Sequence, residues 1–277
     1  MADQANAQYL VDAAWLRTHQ NDHDLVLIDT RPPADYWNGH LEGARHFDPF
    51  PFHHSDTSEA GLRNFNDQLV WIFSMLGLTG SETVVFYEEN SGMRATRAAW
   101  ALEYLGHRDV RILDGGLKLA EAKLTSAAPT SVTANFPGKP RADVIAPYTY
   151  IVERLGNPAT QIFDVRTDEE YYGERVRAKH GGAIAGAIHR DWVQNLDERG
   201  AFKSAAQLRR EFEGLGLDPA REIIPYCQGG YRSANAYIAL RIAGYASVRN
   251  YLGSWGEWGN HDDLPIERPR RRTTRRD

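Results

Sequence analysis

The chain has 277 residues, of which 42% are hydrophobic and 25% charged, and its formal net charge is −5. This composition is typical of a soluble globular protein, and at roughly 100 to 200 residues per domain the length predicts two domains. No apolar run approaches the roughly 20 residues of a membrane helix, and the single cysteine excludes an internal disulfide.

The start of the chain lacks a basic segment followed by an apolar core. No secretory signal is therefore predicted, and a cytoplasmic location is expected.

Segments of the first half return in the second half. Residues 27–31 (LIDTR) parallel residues 162–166 (IFDVR), and residues 39–44 parallel residues 182–187. Further pairs keep one common separation, namely Arg94 with Arg232, Leu102 with Leu240, and Val110 with Val248. Such a repeat predicts two copies of one domain.

The copies are predicted to occupy residues 8–124 and 143–267. Residues 125–142 are rich in small residues and proline, which is typical of an extended connector.

In the first copy, the loop after the apolar run 84–87 contains no cysteine. Counting back from Arg94 places Glu89 opposite the cysteine of the second copy, whereas counting forward from Tyr87 places Glu88 there. The position is acidic either way.

In the second copy, Cys227 follows the apolar strand pattern of residues 222–226 and precedes a helical pattern over residues 233–245. Ligand sites of open α/β sheets gather at such strand ends. Gly229 and Gly230 allow backbone N–H groups to form an anion-binding nest, and the helix end adds positive potential. Arg232 favours a thiolate and would hold an anionic substrate by paired hydrogen bonds. We therefore interpret Cys227 as a nucleophile.

Four residues separate Cys227 from Arg232, one fewer than in cysteine phosphatases, and the Cys-x-x-Gly-x-Arg-Ser loop resembles that of the rhodanese family. Residues 253–259 (GSWGEWG) and 263–267 (DLPIE) are similar to the carboxyl-terminal stretch of its two-domain thiosulfate and mercaptopyruvate sulfurtransferases. Residues 162–166 with Glu170 and Tyr171 resemble the start of a rhodanese domain. The family's Gly-His-Ile-Pro-Gly-Ala element is altered at 182–187, where its histidine and proline are missing.

The resemblance implies an α/β fold of two tandem rhodanese-like domains, each a mostly parallel five-stranded sheet flanked by helices. It also implies that the Cys227 thiolate takes the outer sulfur of a donor as a persulfide and passes that sulfur to an acceptor. The first domain would be catalytically silent, since a carboxylate forms no persulfide, and would form one wall of the substrate cleft.

The predicted substrate-binding residues surround the cysteine. They are Gln228, Gly229, Gly230, Tyr231, Arg232 and Ser233. The family's substrate-binding arginine matches Arg177 in the insertion 173–180, with Arg175 as the alternative. No cofactor is implied, and the ten histidines show no metal-binding spacing.

The predicted function is sulfur transfer from a small anionic donor. Thiosulfate is favoured because a guanidinium beside a ring of N–H groups suits a compact dianion, and 3-mercaptopyruvate is the alternative. Without a second thiol in the chain, the acceptor would be cyanide, a small thiol or a thioredoxin-like protein. A sulfur carrier without turnover and a phosphatase-like enzyme are the less favoured hypotheses.

Other polar and aromatic residues are predicted to be structural or peripheral. Asp29, Arg31, Asp164 and Arg166 are interpreted as structural, Trp255 and Trp258 as core residues, and His53 and His54 as candidates for the cleft wall. Residues 268–277 form a basic tail with six arginines. It is predicted to be disordered, and nucleic acid is not expected as the main partner.

Overall fold

The computed structural model describes residues 8–130 and 132–271. The start of the chain and residues 272–277 of the predicted basic tail lie outside the described residues. Within the described ranges, no helix combines the length and the apolar character that crossing a bilayer requires.

Both halves alternate strands with helices. The first half contains β1 (Leu10–Val11), α1 (Ala13–His19), β2 (Leu25–Asp29), α2 (Pro33–Asn38), β3 (His40–Leu41), β4 (Arg45–His46), α3 (Glu59–Met75), β5 (Thr83–Tyr87), α4 (Met93–Tyr104), β6 (Val110–Leu113), α5 (Gly116–Ala120) and β7 (Leu124–Thr125). The second half contains α6 (Tyr148–Val152), β8 (Thr160–Asp164), α7 (Asp168–Tyr171), β9 (Ala183–Ile184), β10 (Ile188–His189), α8 (Ala205–Gly214), β11 (Glu222–Tyr226), α9 (Tyr231–Ile242), α10 (Ser254–Trp258) and β12 (Ile266–Glu267).

The first sheet has five parallel strands in the order β1-β6-β5-β2-β4. The second sheet has three parallel strands in the order β10-β8-β11 and is widened by the parallel bridges Ile223 to Val248 and Ile145 to Asn250. Pro225 explains why the pairing beside β11 is interrupted, because proline has no N–H to donate toward residue 249. The predicted α/β fold with two mostly parallel sheets is confirmed.

The two domains share one apolar core. Helices α4 and α9, which follow the equivalent loops of the two domains, pack against each other across the interface. Polar contacts fix the alignment, since Asn235 donates to the Ser91 carbonyl at 2.9 Å and the Trp100 indole donates to the Val144 carbonyl at 3.1 Å. The first domain therefore packs beside the loop that contains Cys227.

The predicted connector follows the surface of the first domain. Phe136 is only 3% exposed and packs on Phe73 with ring centroids 5.7 Å apart. The Ala134 N–H donates to the Ser74 carbonyl, and the Lys139 N–H donates to the Leu105 carbonyl. This segment is thus tied to the first domain by its own packing and hydrogen bonds.

Candidate active site

Cys227 lies where the apolar strand β11 ends and before helix α9 begins. Its thiol is buried, with the residue only 1% exposed. The turn between strand and helix depends on Gly230, whose φ of +84° lies in the left-handed region that glycine adopts at little cost. The helix begins two residues before the predicted position, and its amino terminus is directed at the cysteine.

Surrounding charges and dipoles favour the Cys227 thiolate. Burial raises the pKa of the thiol, but the Arg232 charge, the N–H groups of Gly229 and Ser233 and the Ser233 hydroxyl together hold that pKa below its usual value. The buried Ser233 Oγ has no other hydrogen-bond partner within the described part of the chain, so its O–H is available to the thiolate.

Ser254 is hydrogen-bonded to the backbone of the cysteine loop, a role that the sequence pattern did not indicate. Its Oγ accepts hydrogen bonds from the N–H groups of Cys227 and Gly230, both at 3.1 Å. The same oxygen lies 3.9 Å from the Cys227 Sγ. Ser254 has a φ of +54°, which is uncommon for a residue with a side chain. This backbone conformation and the two hydrogen bonds position the cysteine backbone.

Arg232 forms a bidentate ion pair with Glu170, which the sequence pattern also did not indicate. The two terminal nitrogens lie 2.5 and 3.0 Å from the carboxylate oxygens. Burial raises the pKa of Glu170, but its hydrogen bonds and attraction to Arg232 outweigh burial and lower that pKa to about 2. The guanidinium is thereby held in one orientation, and only its remaining N–H groups are available to a substrate.

Arg177 lies at the mouth of the same site. Its guanidinium is 3.3 Å from Glu170 Oε1, and its carbonyl accepts a hydrogen bond from the Gln228 side chain at 3.1 Å. The Arg177 side chain is 47% exposed. Arg175 is exposed and does not line the site.

The cysteine opens into an interdomain cavity of about 500 Å³. Its lining consists of Phe50, His53, Met93, Arg177, Cys227, Gln228, Gly229, Tyr231 and Arg232. The first three of these belong to the first domain, which therefore forms one wall as expected. Tyr231 of the second domain is held against this wall because its ring stacks on Phe50 at 4.6 Å and its hydroxyl donates to the Pro49 carbonyl.

Of the two adjacent histidines, His53 lies at the cavity. Its ring covers Gly229 so closely that a Cβ on that glycine would be 2.3 Å from His53 Cε1. Burial, followed by the charges of Arg97 and His54, lowers the pKa of His53. The ring is therefore neutral at pH 7. His54 instead contacts the Asp56 carbonyl and is not part of the lining.

Hydrogen bonds in the loop of the first domain show which of Glu88 and Glu89 corresponds to Cys227. Leu117 N–H donates to the Glu88 carbonyl at 2.9 Å, just as Trp255 N–H donates to the Cys227 carbonyl at 2.9 Å. The Glu88 carboxylate accepts hydrogen bonds from the N–H groups of Arg94 and Ala95 at the start of α4. Glu88 is thus the counterpart of Cys227, and its own carboxylate fills the anion cradle of that domain.

The repeated Asp-x-Arg pairs have matching contacts in the two domains. Asp29 with Arg31, and Asp164 with Arg166, are buried ion pairs, and each arginine also donates to a glycine carbonyl in the following loop. Trp255 and Trp258 are buried in the core. In residues 8–130 and 132–271, no three metal-ligating side chains come together.

These features define a two-domain α/β protein with a single cysteine in a cradle of N–H groups at a strand-to-helix turn. The family model of the rhodanese-like domain matches residues 12–123 and residues 148–261. The chain therefore belongs to the rhodanese family, in its tandem-domain form, and is a rhodanese-type transferase.

Curated relatives match nearly the whole chain. A thiosulfate sulfurtransferase of Azotobacter vinelandii is 34% identical, and the match covers 96% of this chain and 100% of the relative. The sulfur carrier protein TtuD of Thermus thermophilus is 30% identical, with coverage of 95% and 97%.

Solved structures show the same fold. Wild-type EanB superimposes with a TM-score of 0.82 at 22% identity, over 95% of this chain and 70% of EanB. The anaerobic ergothioneine biosynthesis enzyme from Chlorobium limicola also gives a TM-score of 0.82 at 22% identity, over 94% and 70% of the two chains.

Proposed function

We propose that this protein transfers sulfane sulfur from thiosulfate to a thiophilic acceptor through a persulfide on Cys227. The supporting observation is the buried thiol beside the N–H groups of Gly229 and Ser233, with Arg232 next to it and a cavity of about 500 Å³ in front of it. The first domain supports this interpretation, because the start of the equivalent helix there donates two N–H groups to the side chain of Glu88. N–H groups in this arrangement are suited to hold an acceptor or an anion.

In the first half-reaction, the Cys227 thiolate attacks the outer sulfur of thiosulfate. A new S–S bond forms, the original S–S bond breaks, and its electron pair leaves with sulfite, so that the negative charge remains on the terminal sulfur of the persulfide. In the second half-reaction, an acceptor such as cyanide takes that sulfur as thiocyanate and regenerates the thiolate. No proton is consumed in either step, so a separate general base is not needed.

The proposed donor-binding groups are residues 228–233 and Arg177. The N–H groups of Gly229 and Ser233 and the remaining N–H groups of Arg232 would hold the oxygens of the donor. Curated relatives named thiosulfate sulfurtransferase support thiosulfate over 3-mercaptopyruvate. Arg177 borders the cavity and would add positive charge at its entrance.

The acceptor and the location remain predictions. Cyanide, a small thiol and a thioredoxin-like protein are the predicted acceptors, and the cytoplasm is the predicted location. A sulfur carrier is the second candidate function, because one relative is named a sulfur carrier protein. A carrier of that kind would form the persulfide and deliver its sulfur to a dedicated partner without turnover on cyanide.

Intact mass spectrometry tests the proposal directly. Incubation with thiosulfate should add about 32 Da, one sulfur atom, to the protein, and cyanide should remove it. Cys227→Ser should show no gain, and a parallel incubation with 3-mercaptopyruvate compares the two donors. A mass gain without thiocyanate production would support the carrier function, whereas no gain with either donor would overturn sulfur transfer.

A further inference from the structure

A buried guanidinium lies at the domain interface, and no carboxylate among the described residues pairs with it. Arg97 on helix α4 is 2% exposed, and its two terminal nitrogens have no hydrogen-bond partner among residues 8–130 and 132–271. It is surrounded by the rings of Phe65, Trp100 and Tyr231, whose centroids are 5.3, 4.9 and 5.2 Å away. Such burial is costly for a charge unless another charge compensates it.

The guanidinium lies against the back of the Cys227 loop. Arg97 NH1 is 3.0 Å from the point where a Cβ on Gly230 would be. Gly230 and Cys227 are joined through the Ser254 Oγ, which accepts a hydrogen bond from the N–H of each. Arg97 therefore contacts, from the first domain, the same turn that holds the cysteine of the second domain.

Two arginines place positive charge near the cysteine, and they differ in whether a carboxylate offsets that charge. Arg232 is beside the thiol, but the Glu170 carboxylate accepts from both of its terminal nitrogens and offsets its charge. Burial lowers the pKa of Arg97 to about 10, and attraction to Tyr231 and Cys227 counteracts part of that decrease. Arg97 is thus still a cation at pH 7. Its charge also acts on the cavity wall, because after burial it is the main cause of the lowered pKa of His53.

We propose that Arg97 is a positioning residue of the catalytic loop, and that its unpaired positive charge stabilises the thiolate and persulfide anions of Cys227. The domain without a cysteine thereby contributes charge to the reaction as well as a wall of the cleft. The catalytic consequence rests on the proposed sulfur transfer, whereas the electrostatic effect on the thiol does not.

The experiment measures the thiol pKa of Cys227 from the rate of iodoacetamide alkylation against pH, without any sulfur donor. Arg97→Met should raise that pKa by about 1, which is a tenfold decrease in the acid dissociation constant of the thiol, and Arg97→Lys should restore most of it. Arg94→Met is the matched control, since it removes an arginine from the same helix whose charge Asp48 already offsets. Its thiol pKa should equal that of the wild type.

The other titratable groups near the thiol stay in place in each variant. They are Arg232, Glu170, Arg177, His53 and Tyr231. If Arg97→Met does not fold, as judged by circular dichroism, Arg97→Gln carries the same expectation because it also lacks the charge.

A thiol pKa unchanged in a folded Arg97→Met or Arg97→Gln variant would overturn the inference. An equal increase in Arg94→Met would also overturn it, because the effect would then not be specific to the unpaired charge. A wild-type protein that fails to form a persulfide, while Arg97→Met still shifts the thiol pKa, would contradict the proposed function and leave the electrostatic role of Arg97 supported.

Discussion

Glu88 in the first domain and Cys227 in the second occupy the same position relative to strand, loop and helix. The Glu88 carbonyl accepts a hydrogen bond at 2.9 Å from Leu117 on the short helix α5. The Cys227 carbonyl accepts one at 2.9 Å from Trp255 on the short helix α10. One domain therefore fills its anion cradle with a carboxylate of its own, and the other places a thiol there. This difference motivates the first prediction.

Glu88→Gln should change the pH dependence of stability and leave sulfur transfer intact. Burial raises the pKa of Glu88 from its ordinary value of 4.5 to about 7. The folded state therefore holds this proton more tightly, and stability from this group decreases as the pH rises from about 5 to 7. Glutamine cannot ionise, so the variant should be about 3 kcal/mol more stable relative to wild type at pH 8 than at pH 4. Urea unfolding of both proteins at pH 4 and pH 8 measures this change. The same difference in stability at both pH values would contradict the prediction.

The Cys227 thiol should ionise at a lower pH in the folded protein than in the unfolded chain. Arg232 and the N–H groups of the loop outweigh burial and lower its pKa. Alkylation should therefore reach half of its maximum rate below the ordinary value of about 8.5, and the midpoint should return to about 8.5 in urea. Because the folded pKa is depressed, ionised Cys227 stabilises the fold above about pH 8.5. That contribution is lost as the pH falls through the folded value. A folded midpoint at or above that in urea would argue against a preformed thiolate site.

Glu170→Gln should destabilise the protein and at the same time make the thiol more acidic. Glu170 is 2% exposed, and removing one partner of a buried ion pair typically costs about 3 kcal/mol. With the carboxylate gone, the charge of Arg232 is no longer offset, so the pKa of Cys227 should fall further. Alkylation and urea unfolding of the same sample measure both effects.

The cost of Glu170→Gln should itself depend on pH. The wild-type pKa of Glu170 is lowered to about 2, so its ionised form stabilises the fold above about pH 4.5. The difference in stability between wild type and variant should therefore be constant at neutral pH and shrink as the pH falls toward 2. A difference that does not change with pH would show that the pair contributes through packing alone.

Arg177→Ala should weaken donor binding, while Arg175→Ala should not. Arg177 borders the cavity at 3.3 Å from Glu170, whereas Arg175 is exposed and outside the lining. A partly exposed charge contributes little in water, so we expect the KM for thiosulfate to rise about fivefold with kcat little changed. Steady-state kinetics of the two variants provides the comparison. Equal KM values in the Arg177→Ala and Arg175→Ala variants would show that Arg177 does not bind the donor.

Gly230→Ala should destabilise the protein by about 2 kcal/mol, because alanine is strained in the left-handed region and its Cβ has no space. The φ of Gly230 is +84°, and a Cβ would be 2.6 Å from the Leu252 carbonyl oxygen and 3.0 Å from Arg97 NH1. Gly214 is the matched control, since it lies at the end of helix α8 and a Cβ there meets nothing within 4 Å. Gly214→Ala should be neutral or slightly stabilising in urea unfolding. A tolerated Gly230→Ala would show that the turn can relax.

The domain repeat, the fold class and the place of the cysteine at the end of a strand could be predicted from the sequence alone. These follow from local signals, since repeats, apolar strand patterns and glycines act over a few neighbouring residues. The family resemblance rested on the same signals, and it is confirmed by the match to residues 12–123 and 148–261. The five-stranded sheet expected for the second domain has three regular strands and two further segments joined to it by single bridges. The sequence did not predict this interruption, because the effect of Pro225 depends on which neighbouring strand its missing N–H would face.

The distant groups that act on the cysteine are identified only by contacts in the folded chain. Glu170 is 62 positions from Arg232, and its carboxylate offsets that charge. Ser254 reaches the loop from 27 positions away, and Arg97 reaches it from the other domain. The choice between Glu88 and Glu89 likewise required the hydrogen bonds of α5. Electrostatic effects depend on distance and burial in space rather than on separation along the chain, so no local pattern in the sequence carries this information.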